Sequence, residues 1–477
     1  MKILLVQPGF GEGLGFQQIA LVEPLGLEMV AASLRKNGHI VDILDLRVEK
    51  KLLDKIKKFQ PTLIGISCSF AIDVYQTLKI AATIKKINKN KDIFVIVGGH
   101  HASLSPGDFN QPGIDAVVIG EGEITAVELV EAVEKGRDLL QVAGLAINQD
   151  GEQKLTVKRP RIKNLDNLPL PARDILHRYR KSYYLGFQRP IATIETSRGC
   201  PYRCEFCSVW NFYGGEYRVK SPERVVAEIA TLREKYLLFT DDNFLQSIPR
   251  AQKIAELLLA KGIRKKITIQ ARSDSIVRHP EIIALWRKAG LWKIFIGFEK
   301  IADEELSALG KKNTVKNNEE ALRILRAHKI EVCASFIADP QYEKNDFKRL
   351  RDYIRRWKLY SPSLTIYTPF PGTELFNRLK EKLTTKNWEL YDAVHTVLPT
   401  KLSLKEFYRE FSKLYKISYP RLDLGWHGLR ALAKSIGQWD SFVQFWNMIR
   451  AAHTMANESY YLVGHNRNFV HDKNIVS

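Results

Sequence analysis

Between Glu195 and Trp210 the chain reads ETSRGCPYRCEFCSVW and places three of its five cysteines within eight residues. Cys200, Cys204 and Cys207 follow an apolar run, IATI, that reads as a strand, so the thiols stand at the end of a sheet where ligands collect. A closed structural zinc site takes four ligands in two separated pairs, and no second pair exists, because Cys68 and Cys333 are isolated in apparent strands. Zinc is therefore the lesser reading. A four-iron cluster on three thiolates keeps one iron open, as a catalytic zinc keeps an open position. The missing fourth cysteine then implies a ligand that is not protein.

The elements that must position these thiols recur with a regular alternation. From about Ile191, the runs IATIETS, YLLFTDD, KITIQARS, LWKIFIGFE, IEVCASFIADP and SLTIYTPF are separated by helical segments such as PERVVAEIATLREK. Six strand-helix units predict a partial parallel barrel over residues 190–380 with its site at the carboxyl-end mouth. Polar and special residues cluster at these strand ends: Asp241 and Asp242, Gln270 and Arg272, Gly297 and Glu299, and Tyr367 before the turn Pro369 to Thr373. Adjacent acids can simply cap a helix, Arg272 could serve a surface ion pair, and a Pro-rich turn can be a rigid connection.

Residues 1–147 show a second alternation, with continuous apolar strands and crossover helices. That pattern predicts a doubly wound, Rossmann-like α/β domain. Its strand ends carry SCSF with Ser67 and Ser69, VGGHHA with Gly98, Gly99 and His100, and GEGE with Gly120 and Glu121. Residues 148–189 are polar and Pro-rich and read as a hairpin plus linker. The strand signals stop near Phe376, and 381–477 reads as a helical region rich in Trp and Phe.

Composition narrows the class. With 477 residues, 45% hydrophobic and 26% charged, the chain has enough apolar content for several cores. No stretch approaches a membrane span, the first residues lack a signal-peptide pattern, and clustered odd-numbered cysteines suit a reducing cytosol. The expected location is cytoplasmic. A net charge of +20 is scattered over helix faces and does not favour a nucleic-acid partner. Trp426, Trp439, Phe442, Phe445 and Trp446 with Arg430, Lys434 and Arg450 suit a helix packed on the barrel first. Attachment to the inner face of a membrane is the second reading.

The spacing Cys200-x3-Cys204-x2-Cys207, with Phe206 immediately before the last cysteine, resembles the cluster motif of the radical S-adenosylmethionine enzymes. The resemblance implies that S-adenosylmethionine chelates the open iron and is cleaved to a 5′-deoxyadenosyl radical. It also implies an amine contact at Asp241 or Asp242, with Asp242 preferred, and a carboxylate contact at Arg272 beside Gln270. Gly297 would allow close backbone approach, Glu299 would hold ribose hydroxyls, and Tyr367 lies where adenine contacts are often placed. A preceding doubly wound domain resembles the cobalamin-binding domain of one branch of that family. There Ser67, Ser69, Gly98, Gly99, His100, Gly120 and Glu121 would border the corrinoid tail. The Asp-x-His-x-x-Gly pattern that supplies an axial histidine is absent after the first strand.

The segments EPLGLEMVAASLRKNGH, VGGHHAS and GEGE look most like hopanoid C-3 methylases and their relatives. This implies methylation of an unactivated carbon of a small-molecule or lipid substrate, with a one-electron donor such as flavodoxin or ferredoxin. The alternatives are an oxidative cyclase of the anaerobic magnesium-protoporphyrin type or, more remotely, an RNA-modifying methylthiotransferase.

Overall fold

Runs such as Ile3 to Val6 contain no polar residue to expose, and both faces of the strand they form are covered: Ile3, Leu4 and Val6 are wholly buried. The computed structural model describes residues 1–11, 19–87, 93–418 and 439–466. Its first part contains β1 (Lys2–Gln7), β2 (Ala20–Leu21), β3 (Ile40–Asp45), β4 (Leu63–Ser67), β5 (Phe94–Gly98), β6 (Ala116–Val118), β7 (Leu145–Gln149) and β8 (Glu152–Leu155). Seven of these form one sheet in the order β3-β1-β4-β5-β6-β7-β8. The first five in that order pair in parallel, and β7 and β8 add an antiparallel hairpin at one edge. Apolar clusters cover both faces.

The second part contains β9 (Tyr184–Leu185), β10 (Ile191–Ile194), β11 (Ser197–Arg198), β12 (Arg218–Val219), β13 (Tyr236–Phe239), β14 (Lys266–Gln270), β15 (Leu291–Glu299), β16 (Glu331–Ala338) and β17 (Ser363–Ile366). Six of them make an all-parallel sheet in sequence order, β10-β13-β14-β15-β16-β17. This is the partial barrel expected from the alternation. Its core centres on Trp286, whose ring meets Phe239 and Phe244 edge-on and whose indole Nε1 donates to the Ala251 carbonyl at 3.1 Å.

The segment between the two sheets is not a loose tether. Arg173–Ser182 forms a 3₁₀ stretch that carries two arginines into a buried charge cluster. Arg173 donates to Glu23 at 2.5 Å, to Glu228 at 2.8 Å and to the Thr193 carbonyl at 2.7 Å. Glu23 also accepts from the Thr193 N–H at 2.6 Å, and Arg180 pairs with Glu23 and Glu234. Three acids, Glu23, Glu28 and Glu228, are almost wholly buried there. Pairing offsets only part of the desolvation, so the cluster fixes orientation more than it adds stability.

After β17 the chain differs from the helical expectation. Residues 383–403 are mostly irregular with a short 3₁₀ turn, because this stretch wedges against the first domain: the Tyr75 hydroxyl accepts from the Trp388 N–H at 3.3 Å and Trp388 meets His101 edge-on. Helices follow at Leu404–Ser418, Trp439–Met455 and Glu458–Asn466. They pack on the barrel side, with Tyr408 stacked on Tyr461 at 4.9 Å and Ala451 and Met455 buried. Trp446 is 53% exposed. Trp426, Arg430 and Lys434 lie outside the described residues, as do the side chains of Trp439, Phe442 and Phe445. Among the described residues no helix is long and apolar enough to cross a membrane.

Glu28 gives the charge cluster a pH signature. Burial pushes its carboxyl up to about 7, against the pull of Arg173 and with help from Glu228 and Glu234. A carboxyl raised in the folded state binds its proton more tightly there than in the unfolded chain, so its contribution turns unfavourable as pH rises toward 7. Glu28→Gln should therefore raise the melting temperature by a few degrees at pH 8 and leave it unchanged near pH 4.5, measured by differential scanning calorimetry.

Candidate active site

The cysteine loop begins at a position only glycine can fill. Gly199 has φ 87°, and a Cβ there would lie 2.1 Å from the Glu216 carbonyl oxygen. Before it, Ser197 and Arg198 form β11, which pairs antiparallel with β12. Arg198 is 4% exposed and reaches three carboxylates: Glu195 at 2.9 Å, Glu121 at 2.5 Å and Glu123. Arg218 adds a 2.9 Å bond to Glu121 and one to the Ile162 carbonyl. The loop stem is thus clamped to the end of β6 in the first domain.

Within the loop, the Cys207 N–H donates to the Cys204 carbonyl at 3.0 Å, which closes a tight turn. Glu205 is held from every side: its N–H donates to Leu309, its carbonyl accepts from Leu375, and its carboxylate accepts from Tyr367 and, at 2.7 Å, from Arg378. Phe206 packs among Leu309, Ile337, Tyr367 and Leu375. The three thiols are free and half-buried. Burial raises all three, Cys207 to about 12, while Lys311 and Arg272 pull Cys204 back. Such thiols ionise only when cations compensate them, which suits a metal cluster. Three soft donors on one pinned loop, with no disulfide, fit a four-iron cluster. Among the described residues no three His, Cys, Asp or Glu side chains close on a single-ion site.

The barrel mouth separates the two adjacent acids. Asp242 is exposed to the mouth and accepts from the Gly199 N–H at 3.2 Å; the protein wall around it, Asp241 and Glu195 push its carboxyl up to about 7. Asp241 corrects an expectation. It is wholly buried and accepts from the Thr196 hydroxyl at 2.7 Å, the Thr196 N–H at 3.2 Å and the Ser197 hydroxyl, so it holds the start of the loop and offers nothing to an amine.

Other expected contacts are likewise turned inward. Arg272 stacks on Tyr202 at 3.7 Å and donates to Asp274 and to the carbonyls of Lys311 and Lys312, which commits most of its fork to the protein. Tyr367 is buried with its hydroxyl on Glu205, not presented to a base. Gln270 ends β14 at the mouth. Glu299, at φ 63°, accepts from Lys311 at 2.8 Å, and the pair lies directly over Gly297, where a Cβ would sit 1.9 Å from Glu299 Oε1. The close approach at Gly297 is thus made by the chain's own ion pair. Lys311, in LGKK, carries no sequence signal, because no spacing rule links it to Cys204.

At the carboxyl edge of the first sheet, Ser67, Ser69, Gly98, Gly99 and Gly120 stand together at the ends of β4, β5 and β6. Ser67 and Ser69 hydroxyls are 3.5 Å apart. A Cβ at Gly120 would meet nothing within 4 Å, and Phe10 and Phe70 leave 41% and 67% of their surfaces open near the ends of β1 and β4. Ser67 is buried, whereas the open backbone at Gly120, the half-buried Ser69 and the open aromatic faces fit a large corrinoid. Two residues depart from that role. Glu121 spends both oxygens on Arg198, Arg218 and the Ile162 N–H, and these partners lower its carboxyl against burial. His100 Nε2 bonds the Ser208 hydroxyl at 2.8 Å, so that nitrogen is taken.

Comparison with known proteins identifies both domains. Residues 20–130 match the family model for the B12 binding domain, and 194–354 match that for the Radical SAM superfamily. A hopanoid C-3 methylase of Methylococcus capsulatus is 36% identical over 448 residues, spanning 92% of this chain and 84% of the relative. An uncharacterized methyltransferase of Pyrococcus horikoshii is 32% identical over 88% of this chain and 92% of its own length. The structure of the radical S-adenosylmethionine methyltransferase TsrM from Kitasatospora setae superposes with a TM-score of 0.68 at 18% identity, covering 89% of this chain and 90% of that one.

The anchoring of Glu205 yields a direct test. Glu205→Ala should let anaerobically reconstituted protein lose iron to a chelator about tenfold faster than the parent, the scale typical of groups that orient metal ligands. Iron content and the absorbance of the cluster report the loss.

Proposed function

The chain belongs to the B12-binding radical S-adenosylmethionine enzymes, and from that membership we propose that it methylates an unactivated carbon of a small-molecule or lipid substrate of hopanoid-like character. The observation that carries this reading is the 36% identity to a hopanoid C-3 methylase, which runs through both domains and not through the cysteine loop alone. The cofactors are a four-iron cluster, S-adenosylmethionine and cobalamin. Together they supply, when bound, a radical able to abstract hydrogen and a methyl group to transfer.

The chain's own residues bind, orient and exclude water. Cys200, Cys204 and Cys207 would hold the cluster. Asp242, exposed beside the loop, would meet the ammonium of S-adenosylmethionine, whose positive charge would draw its raised carboxyl back to the ionised form. Glu299 at the end of β15, paired with Lys311, and Gln270 at the end of β14 would border the same mouth. Ser67, Ser69, Gly98, Gly99 and Gly120 would line the corrinoid tail. The interdomain clamp at Arg198 keeps the two ligand edges facing, which shelters a reactive carbon from side reactions. A cytoplasmic flavodoxin or ferredoxin would deliver the electron.

Deletion of the gene in its host, followed by mass spectrometry of extracted lipids, tests the activity. The expected result is loss of one methyl group from a defined lipid, restored by the intact gene and not by Cys204→Ala. Accumulation of an uncyclised precursor with unchanged methylation would instead support the cyclase alternative. At the level of binding, Asp242→Asn should weaken S-adenosylmethionine retention by at least about tenfold in equilibrium dialysis while leaving the iron content unchanged.

A further inference from the structure

The turn after β5 reaches out of the first domain and touches the cysteine loop. Gly99 has φ 119°, and a Cβ there would lie 2.6 Å from the Cys68 carbonyl oxygen, so the backbone bends where no side chain fits. The bend sends His100 away from the sheet. Its Nε2 lies 2.8 Å from the Ser208 hydroxyl, and its ring stacks on Phe212 with centroids 4.5 Å apart and planes at 28°. Ser208 is the residue after Cys207 and the N-cap of the helix Val209–Tyr213, yet its hydroxyl makes no capping bond to that helix. A serine hydroxyl at this position ordinarily serves the helix's own N–H groups. Here it is given to a histidine from another domain.

The same turn is tied to the ligand edge on its other side. The Ser103 hydroxyl donates to the Gly99 carbonyl at 2.7 Å and accepts from the Gly120 N–H at 2.8 Å. One helical turn beyond His100, Leu104 fills the space over Gly372, whose carbonyl accepts from Asn211 at 3.0 Å. An unbroken set of contacts therefore runs from the Gly120 turn through Gly99 and His100 to Ser208, adjacent to Cys207.

We propose that His100 is a positioning residue that couples the corrinoid edge of the first domain to the cluster loop through its bond to Ser208, with the stack on Phe212 setting the orientation of the ring. Occupation of one site changes affinity at the other, and by linkage the effect is reciprocal. Burial lowers the imidazole to about 4, so the ring is neutral at physiological pH and the tie does not depend on a charge. The inference rests on the cobalamin and cluster assignments above, which iron content and corrinoid absorbance of the parent protein read separately.

The experiment titrates hydroxocobalamin into full-length protein with and without its reconstituted cluster, followed by absorbance, and records the electron paramagnetic resonance spectrum of the reduced cluster in each case. In the parent, cluster-loaded and cluster-free protein should differ at least about fivefold in corrinoid affinity, and corrinoid should shift the cluster spectrum. His100→Phe keeps an aromatic stack without the bond; it should bring the affinity ratio to one and remove the spectral shift while iron content stays at the parental level. His100→Gln, which keeps a bonding group, should restore part of both. Ser208→Ala approaches the same bond from the other domain and should reproduce His100→Phe, with no further change in the double variant. A parent that binds both cofactors with a ratio of one overturns the coupling. So does a His100→Phe or Ser208→Ala protein whose ratio and spectral shift match the parent's. Absence of corrinoid binding by the parent would instead overturn the cofactor assignment on which it stands.

Discussion

Arg198 is the contact on which the rest of the site depends. Its guanidinium is buried among Glu121 and Glu123 from the first domain and Glu195 from its own strand end, with Arg218 sharing Glu121. A buried charge of this kind costs several kcal/mol to desolvate, and removing one partner of such a set typically costs about 3–5 kcal/mol because the others are left uncompensated. Replacing such a whole set with well-packed apolar residues is often neutral for stability, yet it would discard direction. The fork of an arginine accepts partners only at fixed angles, so Arg198, two residues from Cys200, sets where the thiols face relative to the end of β6.

A single ionic hub would still allow rotation about itself. The second hub, where Arg173 and Arg180 meet Glu23, Glu28, Glu228 and Glu234, grips Thr193 within β10. The two hubs hold the first barrel strand and its extension at separated points, against different elements of the first domain. A strand pinned twice keeps its orientation when ligands enter, and the cleft between domains then has one shape. The segment from Arg173 to Ser182 reads as a linker by composition, yet structurally it is the wedge that supplies two arginines to this grip.

What was legible in the sequence follows from what each signal encodes. Apolar strand runs and helical spacing are local, and they located both sheets and the cysteine loop. Facing and pairing are not local. Asp241 and Asp242 are adjacent, and neighbouring side chains near a strand end diverge, so one meets the mouth and the other meets Thr196 and Ser197; only the structure decides which. Glu121 looked like a ligand residue because GEGE sits at a sheet edge, but its partner in RGC lies 77 positions away. Tyr367 and Glu205 are separated by 162 positions, and Lys311 reaches Glu299 across a strand end with no motif around it. In each case an expected ligand contact proved to be a protein contact that shapes the site.

These inward contacts bear on how the cysteine loop takes its metal. In small zinc domains the ligands are unordered until the ion arrives, so metal binding supplies the folding energy. Here Gly199, Glu205 and Phe206 are fixed by bonds and packing that involve no thiol, and Ser208 is held by His100. The loop's shape therefore rests on contacts besides those its sulfurs would make. Burial meanwhile raises the three thiols above their ordinary range, so their ionised form is favoured only by a ligand that compensates the charge. Such a site suits a cluster that must keep one position open, because the protein, not a fourth ligand, holds the other three in place.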